Sequence, residues 1–285
     1  MPPRIDLSGN PHHDSSMTTS APAADPVREA AAWIARHRLE RHPLATLPER
    51  LRPRDETAAY AVQHALHQEL TAAGFGQRAG WKIGCTNTQM QRYLGIGHPA
   101  GGGVMATNVH HGTGRFRHAD FIRPGVEVEI AVRLGTTLHA ADGPFRGEDM
   151  VEVIDEIMPA IEIVDDRYVD RAELDTPTLI ADDFFDAAAV LGAARRPTAE
   201  LDLADLAGEV RINGETHSVG RGSDILGHPF NALAWLASHP SACGGTLRAG
   251  EFVLLGSVTA IQWVERGAEV EGVFDGLGAA RATFG

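Results

Sequence analysis

From about residue 186 onward the chain is almost entirely short apolar runs cut by glycine: AAAVLG, GEVRING, EFVLLGS, AIQWVE and EVEGVFDGLGAARATF. Runs of this length, rich in β-branched residues and bounded by turn formers, read as strands. No helical spacer separates them except NALAWLASH, opened by the Gly227-His228-Pro229 turn. That excludes a regular βαβ alternation and points to a rolled or barrel-like β core. GxGxxG and P-loop patterns are missing, so nucleotide binding is not indicated.

The first third reads differently. Residues 26–42 and 54–74 carry apolar positions at helical spacing, the second with Asp55 as N-cap and Gly74 past its end. After Gly80 strand-like alternation begins in WKIGCT and VEVEIAVRL, with TQMQRYLG between them as a short helix. EDMVEVIDEIM predicts an amphipathic helix stopped by Pro159, followed by the strand AIEIVDDRY. The organisation expected is a disordered Pro/Ser/Thr tail over 1–25, a helical region over 26–79 and a β-roll catalytic domain over 80–285.

Charge narrows the function. A formal net charge of −13 disfavours nucleic acid and anionic membrane as partners and suits cation binding. No apolar run approaches the roughly 18 residues of a membrane span, and the N-terminus lacks a signal core, so a cytoplasmic home is expected. Cys85 and Cys243 make no zinc spacing and read as small buried hydrophobes; the histidines form no ligand motif.

The chemistry-bearing residues sit in the strands. Glu127 and Glu129 are two apart in VEVEIAV, so both carboxylates emerge on one face while Val126, Val128 and Ile130 face the core. Neighbouring carboxylates in an apolar strand repel each other unless a proton or cation intervenes, and hard oxygen ligands suit Mg²⁺, Mn²⁺ or Ca²⁺. A solvated outer strand face is the alternative. Glu162 is a lone charge inside Ala160-Ile161-Glu162-Ile163-Val164, where burial demands a partner. Lys82, between Gly80 and Gly84, alternates away from Trp81 and Ile83, either as a surface lysine, the commoner case, or toward a cleft shared with Gly84 and Thr86. Ser257 and Thr259 follow a hydrophobic strand, as pocket-lining hydroxyls or as turn residues satisfying the backbone.

GWKIGCTN, Arg92-Tyr93-Leu94-Gly95, RPGVEVEIAVRL, MPAIEIVDDR, GRGSDILGHPFNALAWLA, LRAGEFVLLGS and GVFDGLGAARATF together resemble, in that order, the 2-keto-4-pentenoate hydratase family of the fumarylacetoacetate-hydrolase-like superfamily. The resemblance runs from about residue 55 to the C-terminus. It implies an α+β fold, a mixed β-roll core with a small helical N-terminal region, a bound Mg²⁺ or Mn²⁺, and a homo-oligomer. The family's metal carboxylates match Glu127, Glu129 and Glu162, its active-site lysine matches Lys82, and its small or hydroxyl substrate-binding residue matches Ser257. The implied reaction is hydration of a 2-hydroxy-2,4-dienoate, as in conversion of 2-hydroxypenta-2,4-dienoate to 4-hydroxy-2-oxopentanoate in aromatic catabolism. In it Lys82 holds the substrate carboxylate or, with a pKa lowered by burial, shuttles a proton.

Two segments depart from the pattern. An ADNAS-like segment reads Ala181-Asp182-Asp183-Phe184-Phe185, and the acid expected before the ExE strand is replaced by Thr107. A 2-oxo-3-enedioate decarboxylase uses the same chelate but needs a further cation, for which Arg167 or Arg221 are the candidates. Acylpyruvate-type C–C hydrolysis needs a water-activating dyad that no motif announces. A non-catalytic partner subunit would have little reason to keep ExE and Lys82 buried.

Overall fold

The computed structural model describes residues 25–170, 174–198 and 201–285; the tail expected over 1–25 lies outside them apart from Asp25. In chain order the described elements begin α1 (Pro26–Glu40), α2 (Glu56–Leu70), β1 (Arg78–Gly84), α3 (Thr88–Leu94), β2 (Ala100–Met105), β3 (Val109–His111) and β4 (Thr113–Phe116). There follow β5 (Pro124–Leu134), β6 (Leu138–His139), β7 (Ile154–Asp165), α4 (Thr176–Ala181), β8 (Asp186–Leu191), β9 (Ala207–Ile212) and β10 (Glu215–Arg221). The last are α5 (Pro229–Ser238), β11 (Thr246–Leu247), β12 (Phe252–Ser257), β13 (Gln262–Trp263), β14 (Glu269–Phe274) and β15 (Gly278–Phe284).

The helices start where the sequence predicts. The Asp25 side chain accepts from Val27 N ahead of Pro26 at the first turn, and Asp55 Oδ1 accepts from Ala58 N at 2.8 Å. Helix α2 buries Ala59, Tyr60, Val62, Gln63, Leu66, His67 and Leu70, a stripe at helical spacing that packs on α1, α4 and β2.

Two sheets form the core. The large one has order β2-β1-β12-β5-β7-β8-β3, with β13 also on β5; the second has order β10-β9-β14-β15-β4. Strands β2 and β8 approach each other, so the large sheet curls into a roll. Its outer face carries Val126, Val128, Ile130 and Val132 of β5, all fully buried, and Gly272 of β14 lies against Val128 and Ile161. Each such aliphatic side chain contributes roughly 1.5–3 kcal/mol by its burial. The inner face carries a second apolar cluster of Val104, Ala131, Met158, Ala160, Ala189, Leu191, Phe252 and Leu254.

One alternative falls away and one expectation needs correction. The ExE strand has no solvated outer face, because both of its faces are buried in the roll apart from the half-buried Glu127 and Arg133. Residues 148–158 do not form an α-helix: Gly147–Val153 is a 3-10 segment, and β7 runs from Ile154 straight through Pro159. A proline is tolerated there because it sits beyond Leu191, the last β8 residue paired with β7. At that point its carbonyl accepts from Gly192 N, so the end of the ladder loses one donor and no more. Among the described residues, no helix is long and apolar enough to cross a membrane.

Candidate metal centre and active site

Register brings the site together. Strands β5 and β7 pair antiparallel with Glu127 opposite Glu162, and β12 pairs with β5 so that Ser257 is opposite Glu129. Residues directly opposite in an antiparallel pair share a face. The three glutamates therefore lie side by side on the inner face, and one carboxylate oxygen of each falls within 4.8 Å of the other two. Glu129 and Glu162 are each 1% exposed, and Glu127 is partly open.

Lys82 enters from β1 at 3% exposure. Its Nζ donates to Phe184 O at 2.7 Å and forms an ion pair with Glu162 Oε1 at 3.1 Å. Gly84 sits beside it, as the alternation predicts: a Cβ there would lie 3.7 Å from Nζ. Burial works against the ammonium, but Glu162, Glu127 and Asp186 outweigh it and raise the Lys82 pKa above its ordinary value. The lowered pKa expected of a proton-shuttling Lys82 is thus overturned, because a cation among carboxylates keeps its proton. Burial and the neighbouring Glu162 push Glu127 up to about 8; burial, Glu162 and Glu127 push Glu129 well above the carboxylate range. One oxygen of Glu129 accepts from Gly256 N at 2.9 Å.

These side chains suit a dication. Glu127, Glu129, Glu162 and the buried Asp186 bring four negative charges against one from Lys82, leaving −3 in the ionised state. Glu162 Oε1 and Asp186 Oδ1 are buried with no hydrogen-bond partner; for Glu162 the lysine is close but not aligned. Oxygens on one octahedral Mg²⁺ stand roughly 3–4 Å apart, so a small inward rotation of the three carboxylates suffices.

Ser257 reaches the rim of this cluster, but its hydroxyl donates to Thr259 O at 2.8 Å and accepts from Thr259 N, which is turn chemistry. Thr107 is exposed and donates to Phe75 O. Arg221 is exposed and holds Asp205 O, while Arg167 is buried on Asp182 and the Asp186 carbonyl. A separate cleft of about 460 Å³ is lined by Arg38, Arg115, Arg117, Arg167 and Asp186 but by none of the three glutamates.

Four features lie outside what the motifs predict. Asp186 opens β8, and its pKa is raised well above the ordinary range by burial, Glu162 and Asp183. Asp182 and Asp183 anchor a buried network with Arg38, His67, Arg167 and Tyr168. Gly101-Gly102-Gly103 lets β2 approach closely, since a Cβ on Gly103 would stand 2.4 Å from His67 and one on Gly102 3.0 Å from Asp183 O. Finally, Lys82 is the sole lysine among 285 residues, all 24 other Lys/Arg positions being arginine, and that count alone singles it out.

The roll, with its carboxylate cluster on the inner face, is a fumarylacetoacetate-hydrolase-like fold, and the family profile described as fumarylacetoacetate (FAA) hydrolase C-terminal matches residues 105–285. A 2-keto-4-pentenoate hydratase of Paraburkholderia phymatum is 33% identical over 258 residues, 90% of this chain and 97% of that protein. A 2-hydroxyhexa-2,4-dienoate hydratase of Comamonas testosteroni is 31% identical, over 80% and 86%. Among solved structures, 4-oxalocrotonate decarboxylase from Pseudomonas putida G7, complexed with magnesium and adipate, superposes with a TM-score of 0.83 at 27% identity, covering 90% of this chain and 97% of that one. The chain belongs to the 2-keto-4-pentenoate hydratase family.

Proposed function

We propose that this chain is a metal-dependent hydro-lyase that hydrates 2-hydroxy-2,4-dienoates, with 2-hydroxypenta-2,4-dienoate going to 4-hydroxy-2-oxopentanoate. The observation that carries the reading is the juxtaposition of Glu127, Glu129 and Glu162 with the one lysine on the inner face of the roll. The named hydratase relatives support the reaction type. We assign the three glutamates as ligands of Mg²⁺ or Mn²⁺, Lys82 as the catalytic residue and Ser257 as a substrate contact at the rim. A homo-oligomer working in the cytoplasm on a small 2-oxo acid completes the reading, with a helical region over 26–79 ahead of the β-roll domain over 80–285.

Glu127, Glu129 and Glu162 would hold a divalent ion, which when bound would supply Lewis-acid polarisation of the 2-oxo acid. The protein does the rest. The Lys82 ammonium, kept charged by its acidic neighbours, holds the substrate's anionic end and stabilises the negative charge that builds there during turnover. In the overall change a proton reaches C5, water adds at C4, and C3 gains the second proton. The buried apolar residues beside the cluster, including Ala131, Ala160 and Leu254, exclude bulk water from it.

A decarboxylase reading draws support from the decarboxylase neighbour, whose complex holds the dicarboxylate adipate. It needs a cation for the second carboxylate, and of the two candidates Arg167 is committed to Asp182 while Arg221 is exposed and holds Asp205 O. The hydratase reading is favoured on that ground. The test is incubation with 2-hydroxypenta-2,4-dienoate and with 2-oxo-3-hexenedioate, each with Mg²⁺ and with chelator, followed by product mass. Gain of water from the first substrate, only with metal, is expected; loss of CO₂ from the second would replace this reading with the decarboxylase.

A further inference from the structure

Residues Asp183, Phe184 and Phe185 stand in the left-handed region one after another, at φ of 53°, 46° and 70°. Non-glycine residues persist there only when their surroundings over-determine the backbone. The surroundings here are dense. Asp183 Oδ1 accepts from Gly103 N at 2.8 Å and meets His67 Nε2 at 2.8 Å, while Oδ2 accepts from Arg38 at 3.1 Å. Asp182 is held in turn by Arg38, Arg167 and the Tyr168 hydroxyl. The product of this clamp is one carbonyl: Phe184 O, 2.7 Å from Lys82 Nζ, with the Phe184 ring centroid 6.0 Å from the same nitrogen.

We propose that Asp183 is a positioning residue for Lys82, fixing the left-handed turn between α1, α2 and β2 so that Phe184 O locks the ammonium in place. An ammonium has three protons. Phe184 O takes one, Glu162 faces the second, and the third is left for substrate. Without the clamp the turn relaxes toward right-handed backbone, its carbonyl swings away, and Lys82 loses the contact that fixes its direction. The inference rests on the proposed role of Lys82 in turnover, but the placement of Lys82 can be measured without turnover.

Because Lys82 is the only lysine, amine acetylation of the Mg²⁺-loaded protein, read by mass spectrometry on its peptide, reports one side chain. Asp183→Ala should raise that labelling rate roughly tenfold through local opening, with circular dichroism unchanged. It should lower kcat by about a hundredfold and raise KM at little-changed metal affinity. Asp183→Asn keeps an acceptor for Gly103 N and should restore slow labelling and most of kcat. If Asp183→Ala does not fold, His67→Leu is the second variant, expected to move both readouts in the same direction. Unchanged labelling and kcat in the folded variants, or no rescue by asparagine, would overturn the positioning role. An inactive wild-type protein would overturn the hydratase reading and leave the labelling comparison to decide this one.

Discussion

Replacing Lys82 by methionine keeps most of the side-chain volume and removes one charge from the inner face of the roll. The Lys82–Glu162 separation of 3.1 Å corresponds to about 5 kcal/mol of attraction at an effective dielectric of 20. Freeing the ammonium from burial returns part of this, and removing one partner of a buried pair costs about 3–5 kcal/mol net. The loss is capped, because Glu127, pushed up to about 8, and Glu129, held well above the carboxylate range, already carry protons near neutral pH and leave less uncompensated charge when the cation goes. A metal-free loss of about 3 kcal/mol would lower Tm by roughly 6–12 °C in a chain of this size. Bound metal should have the opposite dependence: with the competing cation gone, the dication should bind on the order of tenfold more tightly, about 1.4 kcal/mol. The assay is thermal unfolding in chelator, then Tm against added Mg²⁺ or Mn²⁺. A chelated variant that melts at or above wild type, or needs more metal than wild type, would show that Lys82 and the glutamates do not share one electrostatic site.

Glu127→Ala should abolish Mg²⁺ binding by calorimetry with the fold intact and metal-free Tm no lower, since a repelling carboxylate is removed; retained affinity would count against the ligand assignment. At Asp183 burial favours the neutral acid, but His67, Arg38 and Gly103 N–H outweigh it and hold the carboxyl well below its ordinary range. Its stabilisation is therefore complete above the unfolded value of about 3.9 and lost as pH falls through the lower folded value. Accordingly, urea titrations should show Asp183→Asn less stable than wild type at pH 7, with the gap closing below about pH 4. A gap that widens in acid would contradict this. Gly103→Ala places a methyl 2.4 Å from the His67 ring and should cost about 1–3 kcal/mol in urea unfolding. Gly97→Ala, with nothing within 4 Å, should stay within about 0.5 kcal/mol of wild type.

Much of the site is legible in the chain because strand alternation is a rigid rule. Two glutamates two apart must share a face, and an isolated Glu162 in an apolar strand must find a partner; the register supplies it directly opposite Glu127. Alternation likewise turns Lys82 toward Gly84. The segment 148–158 misleads because its apolar residues recur at helical spacing although Ile154 onward is a central strand, and because a proline inside such a strand is unexpected. Its tolerance depends on where β8 ends, a long-range fact. The Asp182–Asp183 network is hidden for the same reason: its partners Arg38, His67 and Gly103 lie 144, 116 and 80 residues away. The positive φ at Phe184 and Phe185 has no local signature, since aromatic residues do not favour it. Glycines 101–103 are readable as a close backbone approach, although what approaches them is not.

The central claim is that Glu127, Glu129 and Glu162 hold the divalent ion on which the chemistry depends. Crystals soaked in Mn²⁺ and measured at the manganese edge test it most directly. A single strong anomalous peak within about 2.3 Å of one oxygen from each glutamate, lost in Glu127→Ala, is the result expected. A peak at the Arg-lined cleft beside Asp186, or none while calorimetry still shows binding, would contradict it.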